Sequence, residues 1–277
     1  MSSSGQSTKS NADPLIGVIG GSGLELFPEL DVVDRVKIKT RYGRPSDVIT
    51  IAQRNGQLFA FLPRHGSKHH LPPHRIPYRA NIAAFKKLGI KTVIGTCIVG
   101  SLKRKLVPGS FVIPEQFVNM TWGRDDVGTS SNFIHLPMAE PYCACLRREL
   151  SKVALSEKVV ACRAGTVVVI QGPRFSTIAE SRFFIRNGWD IVNMTQYPEC
   201  YYAREAGLCY AALAAVTDWD VGVRSNMSIV PSNMDRVLAI FKENVSKTKN
   251  MVLKAVDRLA SFECGCASTA VIEYYKQ

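Results

Sequence analysis

Two carboxylates flank an indole in TDWD, Thr217–Asp220, directly after the apolar run AALAAV. A carboxylate in such a place needs a partner or a proton, because burying it charged and alone is costly. Two close carboxylates do not easily both ionise, so Asp218 held protonated beside Asp220 would be a donor suited to a ring nitrogen. A helix N-cap or turn aspartate is the plainer alternative. Four other stretches carry complementary groups. GGSGL, Gly20–Leu24, has the glycines for a nest of backbone N–H groups that, with the Ser22 hydroxyl, would hold an anion; a tight glycine turn would look the same. It lacks the G-x-G-x-x-G and GK[ST] spacings, so neither a dinucleotide nor a nucleoside triphosphate is indicated. Arg64-His65 offers a bidentate phosphate clamp with a second donor, or is a surface pair. Asn193-Met194-Thr195 brings a backbone N–H and a hydroxyl. Phe175, in GPRFST, is a flat face for a base or a core ring.

The eight cysteines include the pairs Cys143/Cys145 and Cys264/Cys266. Zinc sites usually space their cysteines C-x₂₋₄-C, and no His cluster flanks either pair, so the spacing argues against a four-thiolate metal site and no metal is expected. Cys97, Cys162, Cys200 and Cys209 sit in apolar contexts and read as small core side chains of a reducing compartment, with the cytoplasm as the expected location.

Short β-rich runs must position these groups. Leu15–Ile19 precedes GGSGL, Leu58–Leu62 precedes Pro63-Arg64-His65, and Thr92–Gly95 precedes TCIVGS. Thr166–Ile170 precedes QGPRFST, Ile191–Val192 precedes NMT, and Tyr210–Val216 precedes TDWD. Helical patterns fall at Tyr78–Leu88, at Pro198–Ala206 and in a long amphipathic segment from Ser232. Strands alternating with helices predict a largely parallel, helix-covered sheet, with functional groups beyond the strands' carboxyl ends. Residues 1–13 are polar and aperiodic and are expected to be a loose tail, leaving one domain over 14–277.

The balance of 35 Lys+Arg against 23 Asp+Glu gives a net charge of +12, which raises nucleic acid as a partner. The basic groups are scattered and lack an interleaved aromatic platform, whereas a general positive field concentrates small anions equally well. No apolar stretch reaches the ~18 residues of a membrane span, so neither nucleic acid nor membrane is an expected partner.

The ordered set VIGGSGL, RHG, GSL, PMAEP, QGPRFST-x₂-AES, NMT-x₂-PE, A-x-EAGLCYA and TDWD resembles the methylthioadenosine phosphorylase branch of the trimeric purine nucleoside phosphorylase family, from about Leu15 to Val252. The resemblance implies an α/β fold with a mixed, partly closed sheet surrounded by helices. It also implies a homotrimer with active sites near subunit contacts, and phosphorolysis of a purine nucleoside with inorganic phosphate as co-substrate and no metal or organic cofactor. Ser22, Arg64, His65, Thr195 and the Cys97-Ile98 segment fall on the phosphate positions. Met194 falls on the ribose position and Phe175 on the base-facing aromatic. Asp218 and Asp220 match the pair that addresses N7 and the 6-amino group, Met234 lies near the 5′ substituent, and His135 resembles a residue lent by a neighbouring subunit.

Relatives using 6-oxopurines tend to carry Glu at Ser176 and Asn at Asp218. An acceptor carboxylate suits a 6-amino group and an amide suits a 6-oxo group, so the expected substrate is 5′-methylthioadenosine. A phosphorylase for inosine, guanosine or adenosine is the alternative, and a non-catalytic nucleotide- or nucleic-acid-binding protein the remote one. Three features depart from the family pattern: Cys97-Ile98 where Thr and Ala are expected, Gln196-Tyr197 in place of a smaller pair, and a C-x-C ending like that of some microbial relatives.

Overall fold

The structure is a computed structural model that describes residues 16–25, 27–124, 135–224 and 234–267, with side chains of the last helix from Leu238 onward. The expected tail and the side chain of Met234 lie outside the described residues. The strands and helices follow in order: β1 Ile16–Gly20, β2 Asp31–Val36, β3 Ile49–Arg54, β4 Gln57–Pro63, α1 Tyr78–Lys87, β5 Thr92–Ser101, β6 Phe111–Val112, β7 Gln116–Met120, α2 Ala144–Ser156. There follow β8 Ala161–Cys162, β9 Thr166–Ile170, α3 Ile178–Arg186, β10 Ile191–Asn193, α4 Gln196–Glu205, β11 Cys209–Trp219, α5 Val221–Arg224 and α6 Met234–Arg258. No helix among the described residues is long and apolar enough to cross a membrane.

All eleven described strands join one sheet along the path β2-β3-β4-β1-β5-β10-β9-β7, with β11 on the other edge of β5 and β6 and β8 beyond it. The sheet is mixed rather than largely parallel, since β2/β3, β3/β4, β5/β10 and β6/β11 pair antiparallel. One cause is legible in the chain. Asn55 and Gly56 both have positive φ and close a two-residue turn between Arg54 and Gln57, the favoured geometry for Asn-Gly hairpins.

Both faces of the central strands are covered. On one, Ile82 and Phe85 of α1 and Tyr202 of α4 pack with Leu62, Val93, Ala212 and Val216. On the other, Leu146 and Leu150 of α2 and Met251 and Val252 of α6 pack with Val18, Ile94, Leu213 and Ala215. Successive residues of β11 thus enter opposite cores, which is why its sequence reads as a continuous apolar run instead of an alternating one. α3 begins with a capping box in which Thr177 accepts from the Glu180 N–H and Glu180 accepts from the Thr177 N–H.

Two irregularities prepare a site. β5 pairs with β1 only over Thr92–Gly95 and with β10 only at Gly100 and Ser101, so Thr96–Val99 lie between two diverging neighbours on that edge. Its other edge pairs with β11 throughout, apart from a bulge between Val216 and Asp218. TCIVGS and TDW are therefore parts of strands β5 and β11 rather than tips beyond them. The bulge inserts Thr217 and resets the alternation just before Asp218.

The cysteines need a correction as well. Cys143, Cys264 and Cys266 meet Cys209, with all four sulfurs within 4.8 Å of one another, while Cys145 is outside the group. Spacing along the chain missed this because Cys209 comes from the first residue of β11, held beside Cys143 by the Cys143 N–H to Tyr210 carbonyl bond of 2.8 Å.

Candidate active site

The gap in β5 is closed by side chains. Arg64, just beyond β4, is fully buried and donates from Nη1 to the Thr96 carbonyl at 2.6 Å. Its Nε and Nη2 donate to the two oxygens of Glu199 at 2.6 and 2.7 Å, and its backbone N–H reaches the Gly20 carbonyl at 2.8 Å. Burial opposes the guanidinium charge, but the Glu199 carboxylate more than offsets it, so Arg64 is held above its ordinary value and charged. The bidentate face expected to clamp phosphate therefore grips Glu199, because an unpaired guanidinium this deep would be uncompensated. Of its five N–H donors, one on each Nη is left by these bonds.

Glu199 lies on the buried face of α4 and also accepts from Tyr210 Oη at 2.6 Å. Gly95 makes room for this contact: a Cβ there would lie 2.2 Å from Tyr210 Oη. The glycine loop is tied to the same point, since Thr96 Oγ1 accepts from the Gly21 N–H at 2.9 Å and donates to the Ile19 carbonyl at 3.3 Å. Both carboxylate oxygens of Glu25 sit on the Gly23 N–H, at 3.1 and 2.9 Å, so a single amide of this turn already holds an anionic group. Ser22 is half-buried within it.

His65 is buried, stacks on His69 at 4.7 Å between ring centroids, and lies 2.8 Å through Nδ1 from the Leu71 carbonyl. A carbonyl only accepts, so Nδ1 carries the proton and Nε2 the lone pair. Burial first, then the charges of Arg64 and His69, push the imidazole down to about 4. At neutral pH the ring is an acceptor, not the second donor suggested by its sequence context.

At the other side of the gap, Asn193 Nδ2 donates to the Ile98 carbonyl at 3.1 Å. Its Oδ1 accepts from the N–H groups of Thr195 and Gln196 at 2.7 and 2.8 Å, fixing Thr195 as the residue that opens α4. Gln196 Nε2 reaches Cys97 Sγ at 3.5 Å, and burial pushes that thiol up to about 12. The Gln196 and Cys97 departures from the family pattern thus touch each other.

The purine-side candidates converge through contacts the sequence did not reveal. A Cβ on Gly172, whose φ is +61, would lie 2.6 Å from Met194 Sδ, so the loop leading to Phe175 abuts Met194. Arg124 donates from Nη2 to the carbonyls of Gln171 and Met194 at 2.9 and 2.8 Å and from Nη1 to that of Tyr197. Beyond that loop, Ser181 Oγ of α3 accepts from the Gly222 N–H at 2.9 Å, locking α3 to the chain just past Asp220. Phe175 is 81% exposed rather than part of the core, and Ser176 Oγ is shielded from solvent with no hydrogen-bond partner among the described residues. Asp218 is half-buried and accepts from Thr217 Oγ1 at 2.9 Å. Asp220 is the more deeply buried of the two, its N–H bound to the Ser101 carbonyl. His135 is exposed, in the segment that Arg204 pins through the Pro137 carbonyl at 2.9 Å.

Phosphate candidates thus gather around Thr96–Ile98 and the aspartates pair with Gly100 and Ser101 of the same strand. At about 3.3 Å per residue the two groups stand roughly 7–17 Å apart, an interval that spans a nucleoside. Sequence reasoning missed Thr96, Arg124, Asn193 as an organiser and Glu199. Only Glu199 left a trace, a carboxylate beside Pro198 in a helix otherwise rich in buried side chains.

The α/β sheet thus brings the candidate anion-site residues and the TDWD carboxylates to one strand, β5. Residues 15–257 match the phosphorylase superfamily, and the chain belongs to that family. It is 42% identical over 257 residues to the S-methyl-5′-thioadenosine phosphorylase of Nitrosopumilus maritimus, covering 92% of this chain and 96% of that protein. It is also 42% identical over 267 residues to the purine nucleoside phosphorylase of Streptomyces coelicolor, covering 93% and 94%. A solved variant of adenosine/methylthioadenosine phosphorylase from Schistosoma mansoni, in complex with methylthioadenosine, is similar at a TM-score of 0.84 and 35% identity, covering 90% of this chain and 92% of that one.

Two predictions test the buried charges. Glu199→Gln should cost about 3–5 kcal/mol in urea unfolding, because it strands the Arg64 charge. Arg64→Met with Glu199→Leu should cost less than the two single losses added together, and strict additivity would show that the pair is not the organising contact. The second concerns pH. His65 falls to about 4 in the folded protein from an ordinary 6.5, so the unfolded chain binds more protons between those values. Its contribution is fully present above about 6.5 and is lost as pH falls toward 4, at up to about 3 kcal/mol. His65→Asn should flatten stability over that window, and an unchanged slope would contradict the assignment.

Proposed function

We propose that this chain is a pentosyltransferase that cleaves 5′-methylthioadenosine with inorganic phosphate, releasing adenine and 5-methylthioribose 1-phosphate. The observation that supports it most is the split in β5, with anion donors at one end of the opening and the TDWD carboxylates at the other. The relatives described above act in name on the same class of substrate.

Phosphate would be held by Ser22, Thr195 and the backbone of the Cys97-Ile98 segment, which no side chain at those positions removes, and by the Gly23 N–H if the ligand displaces the Glu25 carboxylate from it. Arg64 would contribute its two remaining N–H groups and a fixed positive charge, acting chiefly as a positioning residue beneath the loop. His65 Nε2 would accept a hydrogen bond from the P–OH of a phosphate monohydrogen dianion, which keeps its proton. Phosphate oxygen attacks C1′ as the glycosidic bond lengthens, and its charge stabilises the cation-like ribose. Negative charge moves into the purine, where a proton delivered to N7 by Asp218 makes adenine a better leaving group. Asp220 would act on Asp218 and accept from the 6-amino group. Phe175 would cover the base, Met194 the ribose, and Met234 the 5′-methylthio group. Ser176, with its shielded hydroxyl, would take a hydrogen bond from the purine side.

Base release from methylthioadenosine, adenosine and inosine, with and without phosphate, tests the reading; release that persists at full rate without phosphate overturns it. A purine nucleoside phosphorylase among the relatives makes inosine the informative comparison. Asp218→Asn should lower turnover of methylthioadenosine by ~10²–10⁴-fold, the usual loss of a general acid, and affect inosine much less because an amide can donate to O6. Equal losses on both would make Asp218 structural.

We further propose a homotrimer in which His135 completes a neighbour's 5′ pocket. In support, Trp122 is 74% exposed and, with Met120 and Phe183, which also lie open, lines a cavity of about 570 Å³; grouped exposed apolar side chains of this kind mark protein contacts. Sedimentation should give the mass of three chains. A fully active monomer would remove the shared pocket.

A further inference from the structure

We propose that Cys143, Cys209, Cys264 and Cys266 form a structural zinc site that closes the segment after α6 onto the amino end of β11. The four sulfurs lie within 4.8 Å of one another, and three pairs are 3.2, 3.3 and 3.7 Å apart. Sulfurs bound to one tetrahedral zinc at ~2.3 Å stand about 3.8 Å from each other, so small shifts place all four on one ion. The ligands come from three parts of the fold. Cys143 caps α2, Cys209 starts β11, and Cys264 and Cys266 lie on the turn after α6.

The grouping is four-way, not two pairs. Cys266 lies 3.2 Å from Cys209 and 3.3 Å from Cys143, and Cys143 is 3.7 Å from Cys264. A disulfide would bring two sulfurs to ~2.05 Å and leave each with one partner; no disulfide joins any of the eight cysteines in the structure. Two backbone N–H groups already point at these sulfurs, that of Leu146 at Cys143 and that of Cys266 at Cys264, each at 3.4 Å. Such donors stabilise a thiolate, and the amino end of α2 adds its positive dipole at Cys143. Cys143 and Cys209 are buried while Cys264 and Cys266 are half-buried, which gives the ion an entry path from the surface.

Four thiolates select a soft ion and disfavour magnesium or calcium. Binding replaces four S–H bonds by four Zn–S bonds and releases four protons, with no change of oxidation state. The site is closed, since four protein ligands leave no open position, and it stands about 30 Å from Asp218 by strand length, at the opposite end of β11. Its role is to tie down structure, and base release per folded molecule does not pass through it. Cys145 takes no part; its sulfur accepts from Arg148 Nη2 at 3.6 Å on the first turn of α2.

The full-length protein, expressed with zinc in the medium and dialysed, tests this by elemental analysis and by thiol counting in denaturant without reductant. One zinc per chain is expected, with all eight thiols reactive once the ion is released. Cys264→Ser and Cys266→Ser should lose the metal, Cys145→Ser should retain it, and removing zinc from the wild type should lower Tm. If the serine variants fail to fold, cobalt titrated into zinc-stripped wild-type protein should give the tetrahedral thiolate spectrum with an end point at one equivalent. Metal-free protein with eight reactive thiols and no cobalt spectrum overturns the proposal. So does the loss of four thiols to disulfides, or zinc loss in Cys145→Ser as complete as in Cys266→Ser.

Discussion

A buried ion pair between Arg64 and Glu199 holds the functional end of this molecule together. It joins the end of β4 to α4, and through the remaining bonds of the guanidinium it reaches the Thr96 carbonyl in the opened stretch of β5. Two charges taken out of water repay their desolvation only when every lone pair and proton is placed. That requirement explains the neighbours: Tyr210 donates to the same carboxylate, Gly95 is bare to admit the phenol, and Gly21 lies against Thr96 and the guanidinium. The pair is net neutral, so it supplies order more than field. What the guanidinium still offers beyond the pair is one N–H on each Nη.

The second constraint is the divergence of β1 and β10 along one edge of β5. A strand edge without a neighbour exposes carbonyl and N–H groups, and buried ones must find partners. Side chains of Arg64 and Asn193 satisfy the carbonyls of Thr96 and Ile98, which closes this edge to another strand. Crevices of open α/β sheets form at such places, where neighbouring strands part.

Much of this was legible, and the failures share a cause. TDWD stood out because carboxylates after an apolar run break the rule for buried strands, and GGSGL because glycines mark a special backbone. β5 and β11 run longer than their apolar cores because polar residues at their ends still pair across the bulge. The Asn55-Gly56 hairpin was readable from the dipeptide alone and was overlooked. Thr96 and Cys209 were not readable, and Glu199 left only the trace of a carboxylate beside Pro198: their partners lie 75, 57 and 135 residues away. Spacing rules serve ligands that share one element, and they fail when the fold assembles a site from three.

The two ends of β11 divide the work of the protein. Between Cys209 and Asp218 the strand is dominated by small apolar residues, Ala211, Ala212, Ala214 and Ala215, that let α2, α4 and α6 approach both faces closely. Such a strand is a stiff strut whose ends move together. At the carboxyl end, Asn244 of α6 donates to the Val216 carbonyl at 2.9 Å, and the Gly222–Ser181 bond anchors the chain after Asp220. At the amino end four thiols meet. The hydrogen bonds at the carboxyl end fix where the aspartates stand. Thr217, the extra residue of the bulge, turns that fixed position into a chosen direction, since it resets which way Asp218 faces without loosening the strand that carries it.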